Sequence, residues 1–166
     1  MFHVLVIGAG TMGVAHTEAY KAMKDVHIAG IVDFQEEKAK KLANGKIDTF
    51  SSFESAIENV GKVDAIDICL PTFLHKEYVK KSADLGKHVI CEKPLARNLE
   101  DAREMIEYCS KKNVRLFVGH VLRFFPVYQR AKEIIESGEI GKIGIARMRR
   151  GGIFPTAWND WYAHYK

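Results

Sequence analysis

Short runs rich in Val, Ile and Leu alternate along the chain with longer stretches whose apolar residues recur every three or four positions. The runs cover residues 3–8, 27–32, 65–70, 88–91 and 115–118, with 47–50 as a weaker addition. Their length and composition predict strands. Among the longer stretches, Met12, Ala15, Ala19 and Met23 share one predicted helical face. Phe53, Ala56, Ile57 and Val60 share another, with Ser51 and Ser52 placed to supply an N-cap. Leu99, Ala102, Ile106 and Cys109 follow Asn98, a second candidate cap, and Val127, Ala131, Ile134 and Ile135 form a stripe stopped by Gly138. Strands that are apolar on both faces, alternating with amphipathic helices, belong to a parallel sheet covered on both sides. With right-handed crossovers this is an α/β, doubly wound parallel sheet, running from Met1 to about Gly119. Asp67 interrupts one such strand on the face of Cys69, and its burial requires a hydrogen-bond partner.

The remainder follows another pattern. A helix over residues 127–137 leads to a predicted strand at 143–148, and then to Ile153, Phe154, Trp158, Trp161, Tyr162 and Tyr165. So much aromatic surface beside one strand cannot form its own core. The chain is therefore expected to end early in a second α/β domain, with the tail past about Gly151 either disordered or self-associating when isolated. The expected division is a first domain over 1–120, a connecting helix over 121–142 and the truncated start of a second domain over 143–166.

Composition narrows the class. Of 166 residues, 47% are hydrophobic and 28% charged, as in ordinary globular proteins. The excess of 25 Lys and Arg over 21 Asp and Glu is too small to imply a nucleic-acid partner. Arg147, Arg149 and Arg150 read as solvated or interface-facing arginines, and the helical lysines Lys38, Lys40, Lys41, Lys80 and Lys81 as a solvated face. No apolar run approaches a membrane span, and the N-terminus has no signal-peptide pattern. Cys69, Cys91 and Cys109 lack metal-ligand or disulfide spacing, which fits a cytoplasmic protein without a metal, and the first two read as small apolar fillers.

The chemistry is concentrated where strands end. Gly8-Ala9-Gly10-Thr11-Met12-Gly13 joins the first strand to the first helix. In this pattern the first glycine permits a tight turn, the second clears a path to the backbone and the third lets helix and strand approach closely. The helix amides then bind a pyrophosphate without a basic side chain. Asp33, ending the second strand 20 residues past Gly13, is placed to accept hydrogen bonds from a ribose, with Phe34 beside it. No arginine follows to receive a 2′-phosphate, so NAD is favoured over NADP. Asp33 can also cap the next helix. Leu70-Pro71-Thr72 with His75, and Glu92-Lys93-Pro94, occupy the carboxyl ends of the fourth and fifth strands, the edge at which open α/β sheets bind ligands. Lys93 there can stabilise an alkoxide-like oxygen as hydride leaves. His120 ends the sixth strand and is a candidate substrate contact. His16 reads equally as packing near the cofactor or as helix surface.

These motifs together resemble the glucose-fructose oxidoreductase / inositol dehydrogenase (Gfo/Idh/MocA) family. The likeness extends through Gly119-His120-Val121-Leu122-Arg123-Phe124-Phe125-Pro126 and Gly138-Glu139-Ile140-Gly141, to Phe154-Pro155 and Asn159-Asp160-Trp161-Tyr162. The resemblance implies an NAD(P)-dependent oxidoreductase acting on sugars, cyclitols or related polyols, a second domain shaping the substrate pocket, and a homo-oligomer at full length. It implies that Lys93 touches nicotinamide and substrate, that Glu92 lies by the nicotinamide ribose and Arg123 near the nicotinamide end, and that the Lys93–Pro94 bond is often cis. Thr72 departs from the usual Asn. The family's Asp and His, which supply the general base, would lie beyond Lys166, and His164 does not match them. A non-catalytic dinucleotide-binding module assembling through the tail is the alternative, and a methyltransferase is disfavoured because these motifs suit a dinucleotide.

Overall fold

The structure, a computed structural model, describes residues 1–149 and 151. These fall into two units, Met1–His120 and the residues from Val121 onward. In the first, six strands pair in parallel among the described residues: β1 (Phe2–Ile7), β2 (Val26–Val32), β3 (Thr49–Phe50), β4 (Ala65–Ile68), β5 (His88–Cys91) and β6 (Leu116–Val118). Their order, β3-β2-β1-β4-β5-β6, is that of a doubly wound dinucleotide-binding sheet. The order reverses between β1 and β4, which opens a crevice at their carboxyl ends.

Helices α1 (Thr11–Lys21), α2 (Glu36–Ala43), α3 (Phe53–Asn59), α4 (Thr72–Asp84) and α5 (Leu99–Lys111) connect the strands. The pleat of β1 sends Leu5 and Ile7 into one core with Phe53, Ala56, Val79, Ala83, Met105 and Cys109 of α3, α4 and α5. It sends Val4 and Val6 into a second core with Ala39 and Ala43 of α2 and the ring of Tyr20 from α1. A strand between two helical layers has no solvent face, which is why β1 is almost wholly apolar. Ser52 and Asn98 cap α3 and α5 by accepting hydrogen bonds from the Ser55 and Asp101 amides at 3.1 and 2.7 Å.

Several elements differ from the sequence expectation. Helix α1 does not bury Met12, Ala15, Ala19 and Met23; its inward face is Gly13, His16, Thr17 and Tyr20, while Ala15, Ala19 and Met23 are exposed. The inward face follows Gly13, which must lie against β1, and its polar residues find a polar partner in the sheet. In α5 the buried residues are Met105 and Cys109, with Leu99 and Ile106 largely exposed. Lys80 and Lys81 are half-buried and bridge helices, Lys80 to Glu104 and Lys81 to Glu54, so they are more than a solvated face. Strand β3 is only two residues long, and β4 stops at Ile68.

The second unit holds a 3₁₀ turn (Val121–Phe124) and helix α6 (Pro126–Glu136), which ends before Gly138 at φ +75°. No residue of α6 is buried. Residues 143–149 form no strand, contrary to the expectation, and Ile145 and Met148 are exposed. A strand requires a neighbour for its backbone groups, and none pairs with this segment among the described residues. Arg150, His164 and the aromatic residues from Ile153 to Tyr165 lie outside the described residues, as does the expectation about the tail. Among the described residues no helix is long and apolar enough to cross a membrane.

Among the described glycines, the closest approach lies at the β1–α1 turn. Gly8 has φ +101°, and a Cβ on Gly13 would stand 1.8 Å from the Gly8 carbonyl oxygen. Neither backbone segment can yield without moving α1. Gly13→Ala is expected to destabilise the protein by about 3 kcal/mol or more, read as a lower urea midpoint. Gly10, with φ −78° and open space around its Cβ position, is expected to accept alanine within ~0.5 kcal/mol.

Candidate active site at the carboxyl edge of the sheet

Four backbone bonds align the carboxyl ends of five strands. The amides of Gly8, Cys69, Glu92 and Gly119 donate to the carbonyls of Val32, Ile7, Ile68 and Cys91 at 2.7 to 3.1 Å. The turn glycines, Asp33, the Leu70 turn and the Glu92-Lys93-Pro94 segment therefore lie along one edge.

At its centre, α1 begins at Gly10 with no side-chain cap. The first intrahelical bond runs from the Val14 amide to the Gly10 carbonyl, so the amides of Thr11, Met12 and Gly13 precede the ladder. The space a side chain on Gly10 would occupy is open. An anionic diphosphate fits this cradle of amides beneath a missing Cβ. Asp33 is fixed by backbone donors from two sides: the Ala9 amide reaches Oδ2 and the Gln35 amide reaches Oδ1, both at 2.8 Å. It thus serves the turn before α2 and joins it to the glycine loop, while keeping lone pairs free for ribose hydroxyls. Phe34 beside it is 83% exposed.

Thr72 is buried as the first residue of α4. His75, expected on this edge as a cofactor contact, lies behind the Leu70 turn. It is buried, with Nε2 2.8 Å from the Leu70 carbonyl and Nδ1 3.0 and 3.2 Å from the Pro94 and Leu95 carbonyls. Its ring binds the Leu70 turn to the segment after β5 and so holds the two loops in register. The Lys93–Pro94 bond is cis, and Lys93 is exposed. His120 is exposed at the end of the first unit, and Arg123 is exposed in the second.

A polar cluster under this edge escaped the sequence reading. Asp67 is 0% exposed at the centre of the sheet. His16 Nδ1 approaches its Oδ2 at 2.8 Å, and the Tyr20 hydroxyl donates to the same oxygen at 2.9 Å. The Cys69 thiol lies 3.4 Å from His16 Nδ1, so Cys69 belongs to this network and is not an apolar filler. On the other side of the ring, Nε2 stands 3.3 Å from Glu92 Oε1, an ion-pair contact not aligned as a hydrogen bond. Glu92 is 4% exposed; its Oε2 accepts from the Lys93 amide at 3.1 Å. A Cβ on Gly119 would come within 2.7 Å of Glu92 Oε1, so the acid occupies room that this glycine leaves.

The charges follow from this geometry. Asp67 first, then Cys69 and Glu92, push the His16 imidazole up to about 12 against the opposing effect of burial. Burial, with the Asp67 charge, holds the Tyr20 phenol well above its ordinary range. Burial works to raise the Glu92 carboxyl, but His16, the Lys93 amide and the nearby Lys93 charge outweigh it and leave it lowered. The Cys69 thiol is pushed up to about 12 by burial. The atoms of His16, Asp67 and Cys69 lie within 4.8 Å of one another. A protonated ring and a protonated thiol make this a hydrogen-bonded network rather than a set of metal ligands. The sequence signal for it was Asp67, a carboxylate with a required but unnamed partner.

Known proteins resemble this chain in sequence and fold. The chain is 36% identical over 145 residues to the myo-inositol 2-dehydrogenase of Thermotoga maritima, which covers 86% of this chain and 43% of that protein. An oxidoreductase from Agrobacterium radiobacter, solved with NAD⁺, L-tartaric acid and magnesium, superposes with a TM-score of 0.80 at 28% identity over 85% of this chain and 42% of its own. The WlbA dehydrogenase of Bordetella pertussis, solved with NADH and UDP-GlcNAcA, gives 0.79 at 29% identity over 84% and 43%. The chain thus spans about two fifths of the length of these relatives. They lend no support to the non-catalytic alternative. The model of the Gfo/Idh/MocA oxidoreductases, described as an NAD-binding Rossmann fold, matches residues 2–120, and this chain belongs to that family.

Proposed function

We propose that the protein is the cofactor-binding part of an NAD-dependent dehydrogenase that transfers hydride between a sugar, cyclitol or related polyol and nicotinamide. The observation that carries this reading is the amide cradle at Gly10 together with an Asp33 fixed at the end of β2 and an exposed Lys93 on the same edge. When bound, NAD supplies the hydride acceptor. The amides of Thr11, Met12 and Gly13 bind its diphosphate, and Asp33 accepts hydrogen bonds from the adenosine ribose. A carboxylate there repels a 2′-phosphate, which favours NAD over NADP. The Lys93 ammonium donates to the carbinol oxygen of the substrate and stabilises the negative charge that grows there as hydride departs. Glu92, Leu70 and Pro71 belong to the nicotinamide side, and His120 to the substrate side. The proton acceptor comes from a substrate domain, which also gives the protein its homo-oligomeric assembly. A polyol substrate agrees with the inositol dehydrogenase relative.

Calorimetry with NAD and NADP tests the cofactor assignment. NAD is expected to bind with a submillimolar to micromolar Kd and NADP more weakly; no heat at millimolar NAD overturns it. Gly10→Ala is expected to lower NAD affinity by about tenfold or more while the urea midpoint stays in place, because the added methyl fills ligand space rather than protein space. Lys93→Met is expected to lower kcat by about 10² to 10⁴ in a polyol dehydrogenase assay, with NAD affinity changed less than about threefold. Equal loss of NAD binding and turnover would remove Lys93 from the chemical step.

A further inference from the structure

Asp67, His16, Tyr20 and Cys69 have no role in the function proposed above, yet through Glu92 they connect the centre of the sheet to Lys93. From Tyr20 and Asp67 the contacts pass through the His16 ring to Glu92, and from Glu92 Oε2 to the amide of Lys93. Among the described residues, four titratable groups contact His16. Strand β4 and the turn after it contribute Asp67 and Cys69, the segment after β5 contributes Glu92, and α1 itself contributes Tyr20. Two carboxylates therefore bracket one imidazole. A buried carboxylate without a countercharge is costly, and Glu92 is buried with Oε1 lacking any aligned donor. The ring can serve both acids only when both nitrogens carry protons.

We infer that His16 is a positioning residue: held as an imidazolium by Asp67, it fixes the Glu92 carboxylate and through it the backbone of Lys93. A role of this kind explains why α1 turns a histidine and a tyrosine inward in place of its apolar residues. It also explains how an acid can occupy the crevice wall without swinging outward. The raised His16 pKa agrees with this geometry, since it keeps the ring charged throughout the neutral range. The functional consequence, a geometry suited to the nicotinamide end of the cofactor, rests on the NAD-binding reading; the His16–Glu92 link does not.

The experiment follows the His16 ring nitrogens and the Glu92 carboxyl carbon by NMR from pH 6 to 9, beside NADH titrations at each pH. In the wild type both ring nitrogens are expected to stay protonated and NADH affinity to show no His16-linked change. In Asp67→Asn the His16 pKa falls toward its ordinary 6.5, so a titration enters the window. The Glu92 signal is expected to shift at that same midpoint, and NADH affinity to fall by about tenfold as His16 loses its proton. A neutral His16 at pH 7.5 in the wild type overturns the inference, as does a Glu92 signal indifferent to the His16 titration in the variant. An NADH affinity in Asp67→Asn that stays flat while His16 titrates overturns the positioning role. Failure of the wild type to bind NADH would count against the proposed function, while the Glu92 signal would still decide the link. Should Asp67→Asn fail to fold, His16→Gln removes the positive charge beside Glu92, and the Glu92 carboxyl is expected to titrate at a higher pH than in the wild type; an unchanged Glu92 titration overturns the link.

Discussion

The contact between Gly13 and the Gly8 carbonyl determines more of this molecule than its size suggests. Because the helix can approach only where no side chain intervenes, it fixes the rotation of α1 about its own axis. One turn on from Gly13, the same face presents His16 and Thr17, then Tyr20, to the sheet. The approach also leaves the first amides of α1 directed at the crevice between β1 and β4. The anion cradle and the buried polar cluster are thus two results of one packing constraint.

The polar cluster is an unusual solution for a sheet centre. Ile66 and Ile68, the neighbours of Asp67 on β4, enter the apolar core, while Asp67 meets α1 from the other face. An ionised carboxylate at that depth survives because two side chains on one helix reach it, and one of them is charged. The same charge serves a second acid at the crevice. Replacing the set with hydrocarbon would keep the fold and remove the connection between the sheet and the cofactor edge.

Much of the fold was legible in the sequence because strand composition and turn chemistry pointed to the same architecture. The glycine loop, Asp33 and the two strand-end motifs could be placed on one edge before any coordinates, since each follows a strand that the pattern defined. Helix α1 was misread because its apolar residues happen to keep helical spacing, whereas its burial is set by a glycine and by a partner 51 residues away. Periodicity cannot register such a pairing. The structural role of His75 lay beyond the sequence for a related reason: its three carbonyl partners come from loops that only the folded chain brings together. Residues 143–149 illustrate the limit of propensity, because the segment has the composition of a strand but no neighbour to pair with among the described residues.

The close approach of Gly119 to Glu92 carries an evolutionary consequence. With only a hydrogen on Gly119, the Glu92 carboxyl keeps its place after β5. A methyl group there would push the far end of that side chain aside and disturb its approach to the imidazole. Two positions 27 residues apart in sequence are thereby coupled, a dependence readable as epistasis in a two-site saturation library.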